Sequence, residues 1–265
     1  MPSTSAQVMK DAATVVLLAA PVRSGGAPAV LLLERPSQAK FAPGTQVFPG
    51  GSVDVADLDP GWANVIHLPS DGDPDPRASL ATRLAGVRET FEETGILLAR
   101  RGDGSPATAE DLRRLTELRT VVRSGHAESF RAGLVDAGLE PDLEGLVFCA
   151  HWITPAGVPR RFDTRFFLSR LPPGQVAQPD PLGEHVSLRW VDPTNALEDA
   201  ELGLCQMLPP TRAVLRQVAQ ARSVEVAMEL ARHATVATIQ PLLEDVTEEN
   251  YPGLDVSRLK ERSPR

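Results

Sequence analysis

Apolar residues recur along this chain in two rhythms. Leu80, Leu84, Val87 and Phe91 follow a spacing of four, three and four, which makes one stripe of a helix. Asp75-Pro76 offers an N-cap with proline at the first helical position, and Gly95 suits a C-terminal cap, so a helix is predicted over roughly 76–94. Other apolar runs are β-rich. Residues 13–20 and 27–34 form two such runs joined through Ser24-Gly25-Gly26, which predicts a hairpin. Further strands are expected over 96–99, 145–153, 161–168 and 186–191, the last carrying Trp190. Residues 106–138 read as two helices, with Thr108-x-x-Asp111 as a cap and Leu112, Leu115, Leu118, Val121 and Val122 as the apolar stripe. Helices are also expected over 194–206, 210–221 and 223–234. From Glu244 the tail is acidic, polar and proline-containing, and poor order is expected there. Strands interleaved with helices fit an α/β sandwich.

Composition narrows the class. With 265 residues the chain can be one large domain or two small ones. Its 42% hydrophobic and 23% charged residues are ordinary for a globular protein. A net charge of −8 argues against nonspecific nucleic-acid binding, which needs a basic footprint. An anionic substrate must then be drawn in by local arginines and metal. Cys149 and Cys205 lie in apolar surroundings without metal spacing and read as plain structural thiols. No apolar run is long enough to cross a membrane, and Met1–Asp11 lacks the pattern of a secretory signal. His151 and His185 stand alone in sequence, so no Ser-His-Asp arrangement can be built.

The chemistry concentrates in Arg88-Glu89-Thr90-Phe91-Glu92-Glu93-Thr94-Gly95-Ile96. Glu89, Glu92 and Glu93 fall at i, i+3 and i+4, so a helix stacks three carboxylates on one face, roughly opposite the apolar stripe. No Lys or Arg run offsets them, and a hard divalent cation is the best neutraliser; Mg²⁺ typically binds through one or two carboxylates and substrate phosphates. An isolated E-x-x-E-E is more often a solvated acidic face. Here, however, the rigid turn Phe48-Pro49-Gly50-Gly51 lies upstream.

Together these segments resemble the Nudix hydrolase signature, G-x5-E-x7-R-E-U-x-E-E-x-G-U with U aliphatic. Arg88, Glu89, Glu92, Glu93, Gly95 and Ile96 match; Thr90 stands where the pattern has an aliphatic residue. Gly51 is followed after five residues by Asp57, an acid in the first Glu slot. Residues 58–87 then number thirty where the pattern has seven, an insertion of about 23 residues that includes the turn-rich Leu68–Pro76. Such an interrupted box is similar to the peroxisomal acyl-coenzyme A diphosphatase-like subgroup. Leu31–Pro36, Ala85-Gly86-Val87, His151–Pro155, Arg161–Phe167 and Met207–Thr211 extend that similarity over about residues 10–235.

The resemblance implies a Nudix fold, an α/β/α sandwich with a central mixed sheet, plus an inserted helical cap. It implies one domain over 10–240, with an insert at 58–75 in the box, a helical insert at 106–138 and a tail at 241–265. The helical insert is expected either to cover the substrate cleft or to be a structural annex. Metal, Mg²⁺ or Mn²⁺, would be held by Glu89, Glu92, Glu93 and the carbonyl of Gly51. Arg88 would orient a glutamate through a bidentate pair. Glu93 is the candidate for taking a proton from water, together with a glutamate from another loop, for which Glu184 is the outside candidate; Glu92 and Arg88 complete the catalytic set. Arg35, Arg161 and Arg165 are candidate phosphate contacts, because a guanidinium fork binds two oxygens at once. Phe162, Phe166 and Phe167 read first as core, with an acyl or adenine pocket as the other reading.

The expected reaction is metal-dependent hydrolysis of a diphosphate linkage in a nucleoside diphosphate derivative, best coenzyme A or an acyl-CoA, giving 3′,5′-ADP and a 4′-phosphopantetheine. The alternatives are an ADP-ribose, dinucleotide or nucleotide-sugar diphosphatase, or a ligand-sensing Nudix module without turnover. Partners are small molecules, with neither nucleic acid nor membrane; a homodimer is left open. The ending Glu-Arg-Ser-Pro-Arg differs from a peroxisomal Ser-Lys-Leu signal, and a cytoplasmic setting is expected.

Overall fold

The first strand organises the molecule. In a computed structural model, which describes residues 9–39, 42–64, 66, 76–180, 182 and 185–252, β1 spans Met9–Ala19. Ala13, Val15 and Leu17 enter one apolar cluster, and Val16 and Leu18 enter another. An apolar run buried on both faces marks an interior strand. One edge of β1 pairs in parallel with β8 (Arg161–Arg170) from Met9↔Arg161 to Leu18↔Arg170. Its other edge divides. The end near Leu18 pairs antiparallel with β2 (Ala29–Glu34), as the hairpin prediction requires. The beginning pairs with β4 (Gly50–Ser52), from Ala12↔Ser52 to Thr14↔Gly50.

β3 (Thr45–Val47), β7 (Val147–Ile153), β9 (Ser187–Val191), β10 (Gln206–Met207) and β11 (Thr238–Ile239) complete this mixed sheet among the described residues. Its main path runs β10-β3-β2-β1-β8-β7-β11, with β4 on β1 and β9 on β2. β5 (Ala99–Arg101) and β6 (Leu139–Pro141) form a small separate antiparallel sheet.

Helix α1 (Pro76–Thr94) has the predicted bounds; Asp75 lies outside the described residues. It lies on the Ala13–Leu17 face of β1, and a Cβ at Gly86 would sit 3.0 Å from a Val15 methyl. Behind α1 come α2 (Ala109–Arg114), α3 (Thr116–Arg123) and α4 (Glu128–Asp136), with Phe91 and Phe130 ring centroids 5.9 Å apart. The opposite face of the sheet is covered by α5 (Pro193–Glu201), α6 (Pro209–Ala219) and α7 (Val224–His233). The result is the expected α/β/α sandwich.

Several expectations need correction. Residues 106–138 contain three helices, because the chain breaks at Leu115, which caps α2 and opens α3. The Thr108–Asp111 capping box is present. The helix expected over 194–206 stops at Glu201, and the strand expected over 96–99 is shifted to 99–101. The tail is not loose from Glu244: Val246 and Tyr251 are buried against Leu208 and Leu243. Two hydrophobic anchors in a polar segment suffice to dock it. No helix among the described residues is long and apolar enough to cross a membrane.

Candidate active site

Close backbone approach places the glycine turn against α1. A Cβ on Gly50 would lie 2.3 Å from the Ala13 carbonyl oxygen, and one on Gly51 would lie 2.3 Å from Glu89 Cδ. With no side chain in the way, the Gly50 N–H donates to Glu93 Oε2 at 2.9 Å.

Arg88 ties the carboxylates together. Its Nε and Nη2 form a bidentate pair with Asp57 Oδ1 and Oδ2 at 3.0 and 2.8 Å. Its Nη1 bridges Glu89 Oε1 at 2.9 Å and Glu92 Oε1 at 2.8 Å, and Nη2 also reaches the Ser52 carbonyl at 3.1 Å. The bidentate partner is thus Asp57, and the two glutamates share the remaining nitrogen. Asp57 is itself fixed by the Asp54 N–H at 2.8 Å, inside a 3₁₀ turn over Val55–Leu58. Trp62, in a second 3₁₀ turn over Pro60–Asn64, donates to Ala56 and packs near Phe130. The start of the insertion therefore returns the acid of the interrupted box to Arg88.

The carboxylates are not a solvated face. Glu92 and Glu93 are each 5% exposed, because β4 and the preceding turn cover one side of α1 and α3 covers another. Sequence periodicity saw the apolar stripe but not the layer that covers the other faces.

Three further groups converge. Arg123 of α3 places Nη1 3.8 Å from Glu92 Oε2 and holds Asp180 bidentately at 3.1 and 3.0 Å. His185 Nε2 lies 3.5 Å from Glu93 Oε1. Arg35 is close enough to act electrostatically on both Glu93 and His185. Arg123, Asp180 and the His185 contact were missed in the sequence, where no local pattern links them to the box.

Burial pushes the Glu89 carboxyl up to about 7; Arg88 opposes the shift and Glu92 adds to it. Burial, then repulsion from Glu89, pushes Glu93 well above the ordinary range. Burial, aided by Arg35, lowers His185 to about 4, so it is neutral at pH 7. Burial works against the charge of Arg88, yet its carboxylate partners raise its pKa and keep it a cation. Two desolvated, mutually repelling carboxyls beside a bare Gly51 backbone form an oxygen-rich cradle with excess negative charge. That donor set fits a hard divalent cation. Among the described residues, no three His, Cys, Asp or Glu side chains form a ready-made metal cage, because Arg88 occupies Glu92 and part of Glu89.

A cleft of about 290 Å³ opens beside this cluster, lined by Arg35, Gly51, Trp152, Phe162, Phe166 and Tyr251 among others. Arg160 also lines it. A larger cavity, about 670 Å³, lies toward the far end of β1 beside Arg100, Arg170 and Met228, and none of the site carboxylates lines it. Arg161 donates from Nε to the Thr154 carbonyl at 3.1 Å, and Arg165 is buried near Asp163, 3.4 Å away. Phe167 and Phe166 are core, and Phe166 also lines the cleft together with half-buried Phe162. No described residue of 106–138 lines it; those helices rest on α1 instead. Glu184 lies outside the described residues.

The NUDT19 Nudix domain family matches residues 67–216. The acyl-coenzyme A diphosphatase NUDT19 of Xenopus laevis is 31% identical over 218 residues, covering 68% of this chain and 57% of that protein. The acyl-coenzyme A diphosphatase NUDT19 of Homo sapiens is 30% identical over 232 residues, covering 74% of this chain and 61% of that protein. The chain therefore spans about three fifths of the length of these relatives. A crystal structure of a Nudix hydrolase from Alicyclobacillus acidocaldarius superposes with a TM-score of 0.66 at 27% identity, over 85% of this chain and 97% of that one.

Proposed function

The chain belongs to the NUDT19 Nudix domain family, and from that premise we propose that it hydrolyses the diphosphate linkage of coenzyme A or an acyl-CoA. The observation that carries this reading is the cluster of half-buried Glu89 with buried Glu92 and Glu93, held on the Arg88–Asp57 pair against Gly50–Gly51. Relatives in the same family are named acyl-coenzyme A diphosphatases, which selects the substrate class.

A divalent cation, Mg²⁺ or Mn²⁺, would be held by Glu89, Glu93 and the Gly51 carbonyl, with Glu92 joining them if Arg88 releases it, and when bound would supply charge neutralisation at the phosphate oxygens and an acidified water. The residues of the chain do the rest. Asp57 fixes Arg88, and Arg88 fixes Glu89 and Glu92, so the carboxylates are presented in one orientation. The Gly50 N–H holds Glu93 Oε2, and Oε1, which faces His185, would take a proton from water once a bound cation had favoured the ionised carboxylate. Hydrolysis breaks one P–O bond of the bridge. The water oxygen forms the new P–O bond, one water proton goes to a carboxylate such as Glu93, and the leaving phosphate departs as a monoester. Arg35, between cleft and carboxylates, suits the substrate's phosphates. Arg161 and Arg165 are weaker candidates, since both are engaged along β8.

The test is hydrolysis of a panel (coenzyme A, an acyl-CoA, ADP-ribose, NADH, a diadenosine polyphosphate and a nucleotide sugar) with Mg²⁺ or Mn²⁺. Cleavage is expected to favour the coenzyme A species. Glu93→Gln is expected to lower kcat by about 10²–10⁴, the range of a lost general base, with unchanged circular dichroism. Preference for another substrate would discard the coenzyme A reading and keep the chemistry. Near-normal turnover in Glu93→Gln would remove Glu93 from the site.

A further inference from the structure

Helix α3 presents two arginines, Arg119 and Arg123, one turn apart on one face, and both reach the same two objects. The first object is Glu92. Arg119 donates from Nε to its carbonyl oxygen at 3.1 Å, and Arg123 Nη1 stands 3.8 Å from its carboxylate. The second is the segment 175–180, which follows β8. Arg119 Nη2 donates to the carbonyls of Gln178 and Pro179, both at 3.1 Å, while Arg123 grips Asp180, whose side chain is fully buried.

The same segment is fastened to the end of α1 by other bonds. The Gln178 N–H donates to the Thr94 carbonyl at 2.7 Å. Gln175 bonds both the N–H and the carbonyl of Leu97, at 2.8 and 3.0 Å. Asp180 also accepts from the Leu182 N–H at 3.0 Å. Gly95, at φ +71°, leaves room for the Arg119 guanidinium, 3.0 Å from where a Cβ would stand. Apolar contacts alone would suffice to attach an annex. Burying two guanidinium groups is costly unless each is fully paired, and such pairs enforce one arrangement.

We propose that α3 is a clamp in which Arg119 and Arg123 act as positioning residues for the diphosphatase reaction. They lock segment 175–180 onto the end of α1, and so set the orientation of Glu92 and the approach of His185 to Glu93. The inserted helices thereby serve the chemistry from behind α1. This inference rests on the hydrolase reading for its kinetic consequence, but its structural half can be read without turnover.

The experiment compares wild type with Arg123→Met and Arg123→Lys on coenzyme A with Mg²⁺, together with amide hydrogen exchange of the metal-free proteins. Arg123→Met is expected to lower kcat about a hundredfold, the scale of a small misplacement of reacting groups, with KM little changed. Exchange should quicken over 175–180 and stay near wild type in β1 and β8. Arg123→Lys should restore part of kcat. Faster exchange with unchanged kcat would make α3 a plain structural support and overturn the proposal. A rise in KM at unchanged kcat would make Arg123 a substrate contact and overturn it equally. If wild type cleaves no diphosphate, the hydrolase reading fails, and unchanged exchange in the variants would then overturn the clamp by itself. Should Arg123→Met fail to fold, Asp180→Asn, which keeps the shape and removes the charge, carries the same expectations.

Discussion

Glu89 shows what the linear motif conceals. Its spacing from Glu92 and Glu93 is legible in the sequence, and so is the like-charge repulsion. Its burial is not, since β4 and the preceding turn are far from it in the chain. Asp57 is the same case. It lies 31 residues from Arg88, and only the fold closes their bidentate pair. Burial gives Glu89 a measurable signature. The unfolded carboxyl titrates near 4.5 and the folded one at about 7. Between those values the unfolded chain has lost a proton that the folded chain still holds, so stability falls as pH rises through this window. Glu89→Gln removes that loss. In EDTA, the stability of Glu89→Gln relative to wild type is expected to rise between pH 5 and pH 8, by up to about 3 kcal/mol. Urea unfolding at several pH values measures it. A difference that stays flat with pH would mean that Glu89 is as well solvated as an ordinary surface carboxylate. His185, lowered to about 4, acts in the opposite direction over part of the window, which is why the difference between the two proteins is the quantity to follow.

At the scale of elements, the long ones were legible and the short ones were not. β1, β8 and α1 carry enough apolar period to announce themselves, whereas β3, β4, β10 and β11 have three residues or fewer and exist because a neighbouring edge accepts them. β4 is the decisive short strand, since it wedges between β1 and α1. Its two glycines face different neighbours, and this yields two different mutants. Gly50→Ala would thrust a methyl to 2.3 Å from the Ala13 carbonyl and 2.8 Å from Thr14 Cα, both backbone atoms that cannot move cheaply. The expected result is loss of more than about 3 kcal/mol of stability. Gly51→Ala meets first the end of the Glu89 side chain, at 2.3–2.6 Å, which can swing aside. That protein should melt close to wild type but lose most of its kcat, because a displaced Glu89 no longer shares Arg88 with Glu92. Thermal unfolding and steady-state turnover separate the two. Equal losses of stability in both variants would refute the distinction.

On the scale of the whole molecule, the cleft is assembled from parts that sequence proximity never joins. Arg35 follows β2, Gly51 lies on β4, Trp152 on β7, Phe162 and Phe166 on β8, and Tyr251 arrives from the tail. With a net charge of −8, long-range attraction cannot bring in an anionic substrate, so local arginines and the shape of this cleft must do so. The tail is therefore more than an ending. Tyr251 is 7% exposed, shares a small apolar cluster with Val246, and reaches the cleft beside Leu208. Its polar, proline-containing sequence gave no periodic signal, since two apolar contacts are too few to register. Tyr251→Ala is expected to cost about 2–4 kcal/mol or less, as the truncation of a partly enclosed aromatic. It should raise KM for coenzyme A several-fold with kcat nearly unchanged, because the lost contact binds ground state and transition state alike. The carboxylates lie outside the small apolar cluster that holds Tyr251, so a large fall in kcat would show instead that the tail helps order the Gly50–Gly51 turn. An unaltered KM would take Tyr251 out of the substrate's path.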